Sequence, residues 1–195
     1  MSDIIILGTP INPYEAFASI LGIIAVFFQI KEKIAFWPLW LITSFIYIFI
    51  FFESKLYALM TLQFYYVGNS IYGWYKWQKG VKEDSGKIKT LTPKQWSYVI
   101  LAAMVMTVIF YFVLDRYTDS TVPVLDGLVT ALSFTASWLL AQKFLQQWLF
   151  WIVADSISVY VYFTQGLYPT CLFFTVLTIL ATIGYFQWKK VVKTY

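Results

Sequence analysis

The stretch WPLWLITSFIYIFIFF, Trp37 to Phe52, returns 111 residues later as WLFWIVADSISVYVYF, Trp148 to Phe163. Trp37 falls on Trp148, Trp40 on Trp151, Ile46 on Ile157 and Phe52 on Phe163. Extended outward at the same offset, residues 13–77 lie on 124–188 without a gap, so that Leu56-Tyr57 meets Leu167-Tyr168, Gly73 meets Gly184 and Trp77 meets Trp188. This is an internal duplication. Each copy is almost wholly apolar, so the repeated unit reads as a membrane-embedded bundle, and two such bundles place a small-molecule pathway at their shared interface.

Composition supports the same class. Hydrophobic residues are 60% of the chain and charged residues 12%, where a soluble domain carries about 25% charged. There is no histidine and the one cysteine is Cys171. Disulfides, histidine acid/base chemistry and Cys/His metal sites are therefore unsupported. The expectation is a transport protein and not an enzyme, with no catalytic residues, no metal and no cofactor.

A bilayer core of about 30 Å takes about 20 apolar residues to cross. Seven candidate spans follow, near Glu15 to Ile30, Trp37 to Phe52, Leu56 to Trp77, Trp96 to Leu114, Val124 to Ala141, Gln147 to Phe163 and Leu167 to Trp188. The fold class is an all-α polytopic membrane protein forming one membrane domain, 1–195. Met1 to Asn12 has neither a basic n-region nor a small-residue cleavage site, so no signal peptide is read there. The hydrophilic segment Lys79 to Lys94, which includes Glu83 and Asp84, reads as a linker.

Alternating the spans puts Lys55 and Arg116 on the side of the N-terminus. The other twelve basic residues, Lys31, Lys33, Lys76, Lys79, Lys82, Lys87, Lys89, Lys94, Lys143, Lys189, Lys190 and Lys193, fall with the C-terminus. The positive-inside rule then places the N-terminus outside and the C-terminus in the cytoplasm. The pI of 9.0 reflects this topology, and no nucleic-acid partner is expected. Because the offset spans four helices, an even number, the two copies point the same way. The expected architecture is two parallel three-helix repeats, 13–77 and 124–188, joined by a connector helix at 96–115 and related by an axis along the membrane normal.

The candidate chemistry lies on helix faces. At 100° per residue, Trp148, Trp151, Asp155, Ser158 and Tyr162 share an arc of about 80°, and Trp37, Trp40, Ser44, Tyr47 and Phe51 form the equivalent stripe. On the third span, Gln63, Ser70, Trp74 and Trp77 fall within about 60°, with Tyr66 and Gly73 beside them and Asn69 at the rim. Such faces suit a flat, aromatic, hydrogen-bonding solute. The plain structural readings stand alongside. Trp37, Trp77, Trp148 and Trp188 lie at span ends and fit an interfacial belt. Gln63 and Asn69 fit interhelix bonding, and Gly22, Gly68, Gly73 and Gly184 fit close helix packing. Glu15 and Asp126 are repeat-equivalent first-turn carboxylates and fit helix-dipole partners. Asp155 has no such reading: it sits mid-span with no Lys or Arg at membrane depth, where an acid costs about 2.5–3.5 kcal/mol. A cationic substrate, a proton or a water-filled cavity would offset that cost.

The run Leu62-Gln63-Phe64-Tyr65-Tyr66, closing on Tyr72-Gly73-Trp74-Tyr75-Lys76-Trp77, resembles the Pnu family of bacterial vitamin transporters. So does the later run from Trp148 through Trp151, Asp155, Ser158 and Gly166-Leu167-Tyr168 to Gly184-Tyr185 and Trp188. The likeness covers roughly residues 15–190. It implies a seven-helix fold akin to a full-length SWEET carrier in the bacterial inner membrane and a homotrimer. It also implies facilitated diffusion of an unphosphorylated vitamin that a cytoplasmic kinase traps. Gln63, Trp151 and Asp155 would by this resemblance be substrate contacts. The full candidate binding set is Trp40, Ser44, Tyr47, Gln63, Tyr66, Asn69, Trp151, Asp155, Ser158 and Tyr162. Nicotinamide riboside carriers of the family tend to have Asn where this chain has Asp155. A carboxylate accepts only and suits a cation with a donating edge. Thiamine is the favoured substrate on that ground, with nicotinamide riboside and a proton-coupled vitamin transporter as alternatives. A retinal protein is excluded by the absence of a lysine within Leu167 to Trp188.

Overall fold

The computed structural model describes residues 4–6, 9–11, 13–53, 57–82, 86–118 and 120–194. Among them run helices α1 (Pro13–Ile30), α2 (Phe36–Glu53), α3 (Tyr57–Lys82), α4 (Pro93–Tyr117), α5 (Pro123–Ala141), α6 (Gln147–Thr164) and α7 (Tyr168–Thr194). Lys55, Leu56, Glu83 and Asp84, used above for topology, register and the linker, lie outside the described residues, as do Met1 and Asn12. One element corrects the all-α expectation. Strand β1 (Ile4–Ile6) pairs antiparallel with β2 (Thr9–Ile11), Ile4 opposite Ile11. Strands of three residues are too short to register as a periodicity.

Helix starts follow local chemistry. Pro13, Pro93 and Pro123 open their helices, where a missing N–H removes no intrahelical bond. Thr92 closes a capping box on α4, its Oγ accepting from Gln95 N at 3.3 Å while Gln95 Oε1 accepts from Thr92 N at 2.9 Å.

α2 packs on α1 and α3, and α6 packs on α5 and α7. α1 meets α7 and α3 meets α5, which joins the two sets, while α4 lies against α5. α1, α2, α4, α5 and α7 are long and apolar enough to cross a membrane. α3 and α6 carry the polar residues Gln63, Asn69, Ser70, Asp155 and Ser158, and several of these are buried inside the protein. Large apolar side chains line the outside, among them Phe17, Phe49, Leu101, Val108, Phe112 and Phe186. Of the α4 residues only Ala103 is buried. Exposed apolar surface on this scale needs a lipid environment.

The α1–α2 and α5–α6 turns have the same construction. Lys33 N–H reaches Phe28 O and Glu32 N–H reaches Gln29 O, just as Phe144 N–H reaches Leu139 O and Lys143 N–H reaches Leu140 O. This Schellman closure holds Glu32 at φ 52° and Lys143 at φ 58°, a left-handed conformation that usually falls to glycine. The two charged residues pair with each other, Lys143 Nζ lying 3.1 Å from Glu32 Oε2. Lys143 also donates to Gly86 O at 2.7 Å and sits 4.6 Å from the Trp77 ring centroid. The linker is therefore more than a hydrophilic loop. Lys89 N–H reaches Lys143 O and Leu145 N–H reaches Lys89 O, each at 2.8 Å, and Ile88 and Leu91 are buried.

The interfacial-belt reading of four tryptophans is overturned. Trp37, Trp77, Trp148 and Trp188 are at most 2% exposed. Trp37 meets Trp77 edge-on at 5.3 Å, Trp148 meets Trp188 edge-on at 5.6 Å, and Trp77 and Trp188 lie 6.4 Å apart. Repeat-equivalent glycines make room, because a Cβ on Gly73 would overlap the Trp37 ring and one on Gly184 the Trp148 ring. Gly68, by contrast, has nothing within 4 Å of its would-be Cβ, so close packing does not explain it. Overpacking a filled core costs about 1–3 kcal/mol. Gly73→Ala and Gly184→Ala should each lower the thermal midpoint in detergent, whereas Gly68→Ala should not; equal midpoints for all three would refute the notch.

Candidate functional site

α1, α2, α5, α6 and α7 enclose a cavity of about 40 Å³. One side is formed by Gln29, Phe36, Trp37 and Trp40, and the facing side by Ser137, Trp148, Trp151 and Asp155, with Leu177 and Ala181 from α7. That volume holds a few waters. A site for a vitamin-sized molecule is nearer 300–1,000 Å³, so the cavity as it stands is smaller than such a ligand needs; Trp40 and Trp151 in its lining are half-buried. Among the described residues the lining carries one carboxylate, Asp155, which is 4% exposed, and no Lys or Arg. Indole faces with one acid form a surface for an aromatic cation.

A family model described as nicotinamide mononucleotide transporter matches residues 12–190. The nicotinamide riboside transporter PnuC of Escherichia coli (strain K12) is 27% identical over 207 residues, covering 93% of this chain and 87% of its own. The nicotinamide riboside transporter PnuC of Neisseria mucosa is 27% identical over 205 residues, with 98% and 78% covered. A crystal structure of the vitamin B3 transporter PnuC matches with a TM-score of 0.77 at 28% identity, over 93% of this chain and 82% of that one. The chain belongs to the Pnu family of membrane transporters.

Within this Pnu chain, three of the ten candidate binding residues, Trp40, Trp151 and Asp155, line the cavity together. The others do not. Tyr66 packs edge-on against Trp40 at 6.2 Å, behind the lining. Asn69 is held by α5, its Nδ2 donating to Ser137 O at 3.0 Å and Ser137 Oγ at 2.5 Å. Ser158 donates to Ala154 O of its own helix at 3.0 Å. Tyr47 is hydrogen-bonded to Ser19 at 3.0 Å and stacked on Phe51, and Tyr162 is stacked on Phe174 at 5.3 Å. Ser44 is buried and Gln63 half-buried, both off the lining. Asp126 sits in the first turn of α5, its carboxylate accepting from Ser120 Oγ at 2.5 Å. Sequence reasoning missed Gln29 and Ser137, and treated Trp37 and Trp148 as belt residues. The available signal was the helical periodicity, which places Trp37 and Trp148 on the same stripes as Trp40 and Trp151.

Proposed function

We propose that this Pnu protein carries nicotinamide riboside across the bacterial cytoplasmic membrane by facilitated diffusion, with phosphorylation in the cytoplasm trapping the product. Asp155, buried in an indole-lined cavity with no Lys or Arg among its described lining residues, carries the reading. Nicotinamide riboside brings a pyridinium charge for the carboxylate and a flat ring for the tryptophans. The earlier preference for thiamine gives way. Charge fits either vitamin, whereas the Escherichia coli and Neisseria mucosa relatives are named for the riboside. The mononucleotide fits poorly, because its phosphate would enter an uncompensated site that already holds a carboxylate. The proposal includes an outside N-terminus, a cytoplasmic C-terminus and a homotrimer. It also includes the repeats 13–77 and 124–188 with connector 96–115, which the matching α1–α2 and α5–α6 turns support.

Titration calorimetry on purified protein tests the substrate. Nicotinamide riboside should bind on the order of a hundredfold tighter than thiamine or the mononucleotide; comparable affinity for either competitor refutes the assignment. In proteoliposomes, uptake of the cation should follow the membrane potential, worth about 2.3 kcal/mol per charge per 100 mV. Dependence on a pH gradient at fixed voltage would instead mean proton coupling.

A further inference from the structure

Asp155 is one of several polar residues at the cavity. Just over two turns before it on the same helix, about 12 Å at 1.5 Å per residue, lies Gln147, which is 0% exposed. Gln147 Oε1 accepts from Gln29 Nε2 at 3.2 Å, a bond between α6 and α1 across the two halves of the protein. Its own Nε2 is buried with no hydrogen-bond partner among the described residues, and the same holds for the indole N–H groups of Trp37 and Trp148. Gln29, Trp37 and Trp148 all line the cavity, and Gln147 backs it through Gln29. Buried donors are nearly always paired, and leaving one unmet costs about 1–3 kcal/mol. Trp74 and Trp77 also bury unmatched indole N–H groups, away from the lining, but two unmet donors on lining residues with a third beside Gln29 call for oxygen acceptors. The donors are neutral, so they suit hydroxyl and ether oxygens; an anion would find no formal positive charge there.

We propose that Gln147, Gln29 and the indole N–H groups of Trp37 and Trp148 form a sugar subsite that receives the ribose oxygens while Asp155 holds the charged ring. The inference rests on nicotinamide riboside being the ligand and assigns the second half of its binding site. It also gives the Gln29–Gln147 bond a role, since the ribose would be gripped by groups from both halves of the protein at once.

The test compares nicotinamide riboside with its 2′,3′-dideoxy analogue, which keeps the pyridinium and loses two hydroxyls. Wild-type protein should prefer the riboside by about tenfold, the effect of one or two hydrogen bonds. Gln147→Met, close in size and without the amide, should weaken riboside binding by about that factor and leave the analogue unchanged. Trp148→Phe, which still fills much of the Gly184 notch, should do the same and guards against a Gln147 variant that fails to fold. If the variants weaken both ligands equally, or neither, the subsite is refuted while the functional reading stands. If wild-type protein binds neither ligand, the functional reading falls, and the subsite with it.

Discussion

Asp155→Asn is expected to abolish the proposed preference of this transporter for a charged ring. The informative pair of ligands is nicotinamide riboside and its dihydro form, which share size, ribose and carboxamide and differ in the pyridinium charge. An asparagine at 155 gains a donor toward the carboxamide, but it does so for both ligands, so that contribution cancels in the ratio of affinities. What remains is the charge. Removing one member of a desolvated charge pair costs about 2–5 kcal/mol, so the charged-to-neutral affinity ratio should fall by on the order of thirtyfold or more. The substitution is nearly isosteric at a site that is 4% exposed, so folding should survive and calorimetry can read all four combinations. A ratio that does not change would show that Asp155 meets water or a structural partner when the substrate is bound.

Reversing Lys143 should be the most damaging single change outside the cavity. Lys143→Glu faces Glu32 with a like charge and also loses the bond to Gly86 O and the contact over Trp77. Glu32→Lys disturbs only the pair. Both positions already hold non-glycine residues at positive φ, so exchanging the two side chains adds no new backbone demand. The single reversals should lower the thermal midpoint, Lys143→Glu further than Glu32→Lys, and the double reversal should recover the pair contribution but not the Gly86 and Trp77 contacts. A coupling of about 0.5–3 kcal/mol is expected from the double-mutant cycle. Additive losses would mean that the 3.1 Å contact contributes nothing to holding the two turns together.

Much of the fold was readable along the chain because the signals involved are local. Hydropathy located the seven helices to within a few residues, five of them long and apolar enough to cross a membrane, although α3 and α7 run on as far as Lys82 and Thr194. Those extensions are polar and helical, a combination that a search for apolar runs does not detect. The 111-residue offset anticipated pairs that recur in space, Trp37 on Gly73 and Trp148 on Gly184. It also paired Glu32 with Lys143, but the left-handed backbone there carried no sequence mark, because glycine is absent from both positions.

The cavity lining was half legible for a related reason. Helical periodicity sorts residues onto a face and correctly grouped Trp40 with the α2 stripe and Trp151 with Asp155 on α6. It cannot say which part of a face reaches the cavity. Ser158, Asn69 and Tyr47 bear suitable chemistry, yet each is engaged by a neighbouring backbone or hydroxyl group, and those partners are set by how the helices lean on one another.

The sequence by itself determined a helical membrane protein whose chain repeats at a 111-residue offset and carries an acid, Asp155, within an apolar run, since repetition, hydropathy and charge are properties of the chain read in order. Tertiary structure alone decided that Gln29 bonds Gln147 from 118 residues away and that four tryptophans close into one core. It also decided that Asp155 shares its cavity with indoles and one amide, Gln29, and, among the described residues, with no Lys or Arg in the lining. Such groupings arise when helices distant in sequence pack side by side, and no local pattern records which of their faces will meet.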